Sequence, residues 1–282
     1  MHTLAKADPA KARNGPEAYL PREHGATAML LTPIFSVAIL ARTWHWSELA
    51  VPAAAFAALS AKDPAVLLIR KRFVWKRRSA DSSAAFHWLV GWSVVLMASV
   101  AILFATWPLK AFGAVAVGVA TFGCITMIVN LKNRQRSTLF QLASAAALTS
   151  TSLAACISAK GSIAPWCWWF WALTAMQAGA GILVVHARLD ARIALRNASA
   201  ASRQFRYAAQ TAAGLLLCAA VTATILRRPW IALALALAAV GYAYDLMRQK
   251  NPASLQMPLK TAGQQALMLS TLYSALLIAG LW

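Results

Sequence analysis

Long apolar runs follow one another along the chain with only short polar clusters between them. A hydrocarbon core of ~30 Å takes about 20 helical residues to cross. Runs near that length predict nine spans, at 24–42, 48–68, 85–105, 108–130, 138–158, 164–186, 206–226, 229–247 and 260–281. Within lipid a helix satisfies its own backbone donors and acceptors, so each run is read as an α-helix. The second span is the weakest: Lys62 and Asp63 interrupt it, and Pro64, which lacks a backbone N–H, is expected to kink or end it. No stretch between spans is long enough for a soluble domain. The expected fold class is all-α, a polytopic membrane helix bundle of nine transmembrane helices. Residues 1–20 read as a disordered cytoplasmic N-terminal tail and 21–282 as a single transmembrane helical domain. The first apolar run continues without a small-residue cleavage site, so it is expected to stay in the protein.

Composition agrees, with 60% hydrophobic and 12% charged residues and a mean hydropathy of +0.57. The formal net charge is +19. In so apolar a chain that excess reads as Lys and Arg retained on the cytoplasmic face; the expected partner is the lipid bilayer, not nucleic acid. On the nine-span map 22 of the 27 basic residues fall on one side, leaving 5 on the other: Arg42, Lys110, Lys160, Arg227 and Arg228. This asymmetry places the N-terminus in the cytoplasm and the C-terminus outside, in an inner or plasma membrane. Trp44, Trp46, Trp107, Trp166, Trp168, Trp169, Trp171, Trp230 and Trp282 all map to outer span ends, where an interfacial girdle is expected. Cys124, Cys156, Cys167 and Cys218 show no Cys-x-x-Cys spacing and read as small buried hydrophobes.

The candidate chemistry gathers at the cytoplasmic edge. Leu20-Pro21-Arg22-Glu23-His24-Gly25 sets three ionisable groups at the threshold of the first span. Such groups are costly at that depth unless they face protein or water, which makes them a functional-site candidate. The plainer alternative is a helix start, with Glu23 in the positive first turn and Arg22 on headgroup phosphate. Further along stand Lys62 and Asp63, Asn130 with Lys132, then His186, Arg188 and Asp190, and finally Asp245. His186 and Asp190 are four apart and share a helix face, as an orienting hydrogen bond or proton-handling pair requires. Equally, Asp190 could pair with Arg188, Arg192 or Arg196 in the headgroup layer. The candidate substrate-binding set is Arg22, Glu23, His24, Lys62, Asp63, Asn130, Lys132, His186, Arg188 and Asp190, and no catalytic residue is assigned. Glu23, His24, Asp63, His186, Asp190 and Asp245 could form a metal site by tertiary convergence alone. No local spacing forces three of them together, so neither metal nor cofactor is assigned. No Gly-x-Ser-x-Gly element and no Gly-rich phosphate loop occurs.

The run Leu20-Pro21-Arg22-Glu23-His24-Gly25-Ala26, followed by Met29-Leu30-Leu31 and Pro33, resembles the opening of the YwiC-like bacterial integral membrane proteins. Val185-His186-Ala187-Arg188-Leu189 is similar to that family's Val-Arg-Ala-Arg segment, with His186 where Arg is expected. Gly263-Gln264-Gln265 stands where the family tends to have Gly and then Glu. The resemblance implies a bacterial inner-membrane location and carries no established activity. The architecture also resembles the UbiA superfamily of prenyltransferases, which hold an isoprenoid diphosphate through Mg²⁺ on Asp-rich motifs after spans two and six. Ser60-Ala61-Lys62-Asp63-Pro64 and His186-Ala187-Arg188-Leu189-Asp190 occupy those places here, each with one aspartate and at least one cation. Arg22, Lys62, Lys132 and Arg188 can meet phosphate without a metal. The leading expectation is a cytoplasm-facing polar pocket that binds, with or without modifying, a lipidic or isoprenoid anionic substrate, the ligand being an isoprenoid or a phospholipid. The alternatives are a transporter or proton-coupled carrier, and a structural or assembly subunit of a membrane complex. Against the carrier, the mid-membrane zone that usually holds transport sites shows no polar residue on the hydropathy map.

Overall fold

The computed structural model describes residues 24–75, 81–131, 137–197, 203–256 and 259–282, and among them there is helix but no strand. The helices are α1 (His24–Ala41), α2 (Ala50–Ile69), α3 (Asp81–Thr106), α4 (Leu109–Leu131), α5 (Thr138–Thr149), α6 (Thr151–Lys160), α7 (Pro165–Arg196), α8 (Arg203–Ile225), α9 (Pro229–Arg248), the one-turn α10 (Pro252–Leu255) and α11 (Leu259–Leu281). Among the described residues, eight helical stretches are long and apolar enough to cross a membrane, α5 and α6 counting as one stretch bent at Ser150. The chain is a helical, multi-pass membrane protein. The first expected span falls on α1, whose apolar part, Met29–Ala41, is shorter than the rest. Residues 1–20, read as a disordered tail, lie outside the described residues.

Three expectations change on the structure. Pro64 does not end the second span: α2 runs through it to Ile69 and continues as a π-helical turn over Arg70–Trp75. The ring removes one helical hydrogen bond, but Pro64 is buried, and packing on both sides outweighs the loss. The sixth span does not stop near residue 186, because α7 extends to Arg196. Hydropathy marks where apolar residues end, whereas a helix continues wherever its backbone bonds and side-chain partners do. Trp107 is no girdle residue: it is 7% exposed and donates Nε1–H to Ser158 Oγ at 2.8 Å, tying α3 to α6. Trp44, Trp46, Trp168, Trp169, Trp230 and Trp282 are exposed, as an interfacial girdle requires.

Helix α7 forms the axis of the bundle, with α1, α5, α6, α8, α9 and α11 packed around it; α2 and α3 pair beside this group, and α4 touches little beyond them. Helices approach closely in lipid where small residues line their seams, since packing rather than water release drives association. The α8 seam is Ala209, Ala213, Leu216, Ala220 and Ala223, buried at three- and four-residue steps, and α9 answers with Leu235, Ala238, Ala239, Tyr242 and Leu246. Gly181 lets α9 come close to α7: a Cβ there would stand 2.9 Å from Tyr242 Oη.

Side-chain contacts also fix which helix ends lie together. At one end Thr43 meets the Ala159 carbonyl, and the Arg42 guanidinium lies 4.2 Å over the Trp282 ring, gathering the ends of α1, α6 and α11. Glu48, buried there, accepts the His45 N–H at 3.0 Å and starts the turn that feeds α2. The other end is where the basic residues collect.

Candidate functional site

At the end of α7 the residues read as a span terminus are held inside the bundle. Arg188 is 8% exposed. Its Nη1 lies 3.5 Å from Asp245 Oδ1 on α9, and its Nη2 donates to the Ser254 carbonyl of α10 at 3.0 Å. Gln249 completes the group: its Nε2 donates to Asp245 Oδ2 and to the Val184 carbonyl, both at 3.3 Å. The Ser254 hydroxyl donates back to the Arg248 and Asn251 carbonyls, and Asn251 Oδ1 caps α10 by accepting from the Ala253 N–H at 3.0 Å. One guanidinium thus gathers three helices. A charge removed from water demands this, since its desolvation is offset only by an opposite charge and saturated hydrogen bonds.

His186 lies two residues earlier on α7. Its Nε2 is 2.8 Å from Gln141 Oε1 on α5, and its ring stacks on Phe205 of α8 with centroids 5.5 Å apart and planes 16° from parallel. The imidazole thereby joins three helices. Arg188 is met by Asp245, and His186 by Gln141. Neither Gln141 nor Gln249 figured in the sequence reading. Gln141 showed there only as a polar residue in an apolar run, which many helices have, and Gln249 only as one of several polar residues past a span end.

The candidates on α2 and α4 form a separate group. Lys62 Nζ lies 3.8 Å from Asp63 Oδ1, a contact between sequence neighbours with Asp63 largely exposed. Asn130 is buried; its amide donates to the Thr126 carbonyl at 2.8 Å, and its own carbonyl takes the Arg70 guanidinium, which links the ends of α2 and α4. Nearby on α2, α3 and α4, Ser60 Oγ, Trp92 Nε1 and Thr126 Oγ1 are buried without a hydrogen-bond partner. Arg22, Glu23 and Lys132 lie outside the described residues; of His24 only the backbone, as the first residue of α1, is described. Among the described residues no three His, Cys, Asp or Glu come close enough to hold a metal ion.

The electrostatics of this end are one-sided. Lys62 and Arg70 on the α2 side, Arg192 and Arg196 on α7, Arg203 and Arg206 on α8, and Arg248 and Lys250 on the α9 side outnumber the acids of the described segments at this end, Asp63, Asp81, Asp190 and Asp245. Asp245 is already paired with Arg188. An anion at this surface therefore meets a net positive field, focused further by the low-dielectric helices around it.

Inside the spans there is a second polar group that the hydropathy map missed. Gln177 Nε2 donates to Tyr242 Oη at 2.8 Å, Tyr242 Oη donates to the Gln177 carbonyl at 3.1 Å, and Tyr273 Oη donates to the Leu173 carbonyl at 2.9 Å. These buried groups satisfy one another or the α7 backbone, as polar atoms without water must.

The family model described as YwiC-like protein matches residues 20–156, a stretch that holds the opening motif and runs from α1 into α6. The YwiC-like resemblance of the opening motif is thus matched, while Val185–Leu189 lies outside the matched residues. No curated protein and no solved structure matches the chain.

Proposed function

We propose that this chain, YwiC-like over residues 20–156, binds a lipidic or isoprenoid substrate with an anionic head at the basic end of its helical bundle, with modification of that substrate as a further step. The observation that carries the reading is the excess of cations around the ends of α2, α7, α8 and α9, set against four acids in the described segments at that end. Arg22, Glu23, His24 and Lys132 belong to the same proposed site by their place in the chain, as does a UbiA-like arrangement of spans. The basic end is taken as cytoplasmic on the positive-inside rule.

Binding through basic side chains rather than a metal has a direct test. A long-chain isoprenoid phosphate should bind the detergent-purified chain equally with and without a divalent-metal chelator, and more weakly as salt is raised. Loss of binding in chelator would show that a metal carries the site, and binding indifferent to salt would remove the electrostatic basis.

The carrier reading gains one observation from the structure, the Gln177–Tyr242–Tyr273 group inside the spans. It contains no carboxylate, imidazole or basic side chain to carry a proton at neutral pH. The binding reading stands ahead of it for that reason.

A further inference from the structure

The antiparallel pair α8 and α9 leaves an open groove of about 330 Å³ on the surface of the bundle. Buried Ala213 and Ala239 give it depth, and exposed Leu217 and Val240 line it. Arg206, in the first turn of α8, and Lys250, just past the end of α9, both line it and stand at the same end. Among the described residues, none of its lining side chains is acidic. From Arg206 to Leu217 the helix climbs about 16 Å, at about 1.5 Å per residue. That is close to one leaflet, half of a ~30 Å hydrocarbon core.

We infer that this groove holds an anionic phospholipid of the surrounding bilayer, with one acyl chain along Leu217 and Val240 and its phosphate between Arg206 and Lys250. Length, polarity and charge agree along the whole groove. Two cations sit where a headgroup phosphate lies, Gln210 is one turn deeper, at the level of the ester oxygens, and only apolar side chains follow. Gly214 lines the same groove, and a Cβ placed on it meets no atom within 4 Å, so the groove is open there and no helix of the bundle fills it. A second copy of the chain is a poor occupant. Inserted with the same orientation, it would bring its own Arg206 and Lys250 to the same depth, cation against cation. Arg206 and Lys250 also belong to the cation-rich end that carries the proposed function, so the lipid site shares those two charges with that reading; the apolar groove between α8 and α9 sets it apart, and the isoprenoid phosphate probe below separates the two occupants.

The full chain is reconstituted in phosphatidylcholine vesicles containing a trace of phosphatidylglycerol that bears a photoreactive group near the end of one acyl chain. After irradiation, adducts are mapped by mass spectrometry. Adducts are expected around Leu217 and Val240, at several times the yield of the matching phosphatidylcholine probe. Arg206→Gln with Lys250→Gln should lower that yield on the order of tenfold. Arg192→Gln with Arg196→Gln, which removes the same charge from α7, should leave it within about twofold on the same reasoning. Gly214→Leu fills the groove and should lower the yield with both cations in place. Equal labelling by the neutral probe, or an equal loss in the α7 pair, would reduce the site to bulk surface potential and overturn the proposal. Displacement by millimolar inorganic phosphate, stronger labelling by an isoprenoid phosphate probe, or chain-to-chain crosslinks at α8 would each name a different occupant and overturn it as well.

Discussion

A guanidinium at the end of a membrane helix is stable only where its charge is met, and Arg188 is met by two groups far from it in sequence: Asp245 and the Ser254 carbonyl. Removing one partner of a buried ion pair strands the other, which costs about 3–5 kcal/mol when both are fully desolvated. Asp245 keeps 31% of its side-chain exposure, so water screens part of that loss, and Asp245→Asn should cost about 1–3 kcal/mol. Arg188→Gln should cost a similar amount, and the double variant less than the sum. A cycle of thermal stability in detergent should give a coupling above about 0.5 kcal/mol. Strict additivity would mean that the pair is not formed. In sequence Arg188 was visible as a candidate, but its partner was not: Asp190 stood nearer along the chain, and only folding brings Asp245 of α9 against α7.

For whole helices, hydropathy located each apolar segment and missed what continues or joins them. Helix α7 outruns its apolar stretch by about three turns, because His186 and Arg188 find partners on α5, α9 and α10. Helix α4 is apolar yet packs against little, and the Arg70 contact with the Asn130 carbonyl is one of its few polar ties. The α9–α11 seam rests on a glycine. A Cβ at Gly280 would lie 2.7 Å from Ile231 Cγ1 and 3.0 Å from the Ile231 backbone nitrogen, which cannot move aside as a side-chain tip can. Gly280→Ala should therefore destabilise by about 1–3 kcal/mol. Gly263→Ala, on the same helix with no atom within 4 Å of the added Cβ, should be neutral or gain up to ~1 kcal/mol in helix propensity. Thermal unfolding of the two variants side by side checks this, and equal effects would contradict the close α9–α11 approach.

At the scale of the molecule, the contacts at each end agree with the division of charge along the chain. Arg42, one of the few basic residues assigned outside, lies with Trp282 at the end opposite Arg188 and Asp245. A reporter fused after Trp282 should then score as extracytoplasmic, and one inserted in segment 71–78 as cytoplasmic. Two reporters on the same side of the membrane would break the alternation of spans on which this orientation depends.

The sequence by itself determined the class and the segments. A chain with apolar runs of this length must bury its backbone polar groups in helices, and that constraint acts residue by residue, before any tertiary contact. It also showed the YwiC-like opening, Leu20–Ala26, which lies within the residues that the family model matches, and the division of charge between two sides. Tertiary structure alone decided which polar groups meet. Nothing local pairs Arg188 with Asp245, His186 with Gln141, or Gln177 with Tyr242, since each pair spans 45 to 65 positions or joins separate helices. The groove between α8 and α9 likewise exists only where two seams of small residues close on one side and leave Leu217 and Val240 apart on the other. Periodicity marks which face of a helix is buried, but the identity of the neighbour follows from packing the whole set at once.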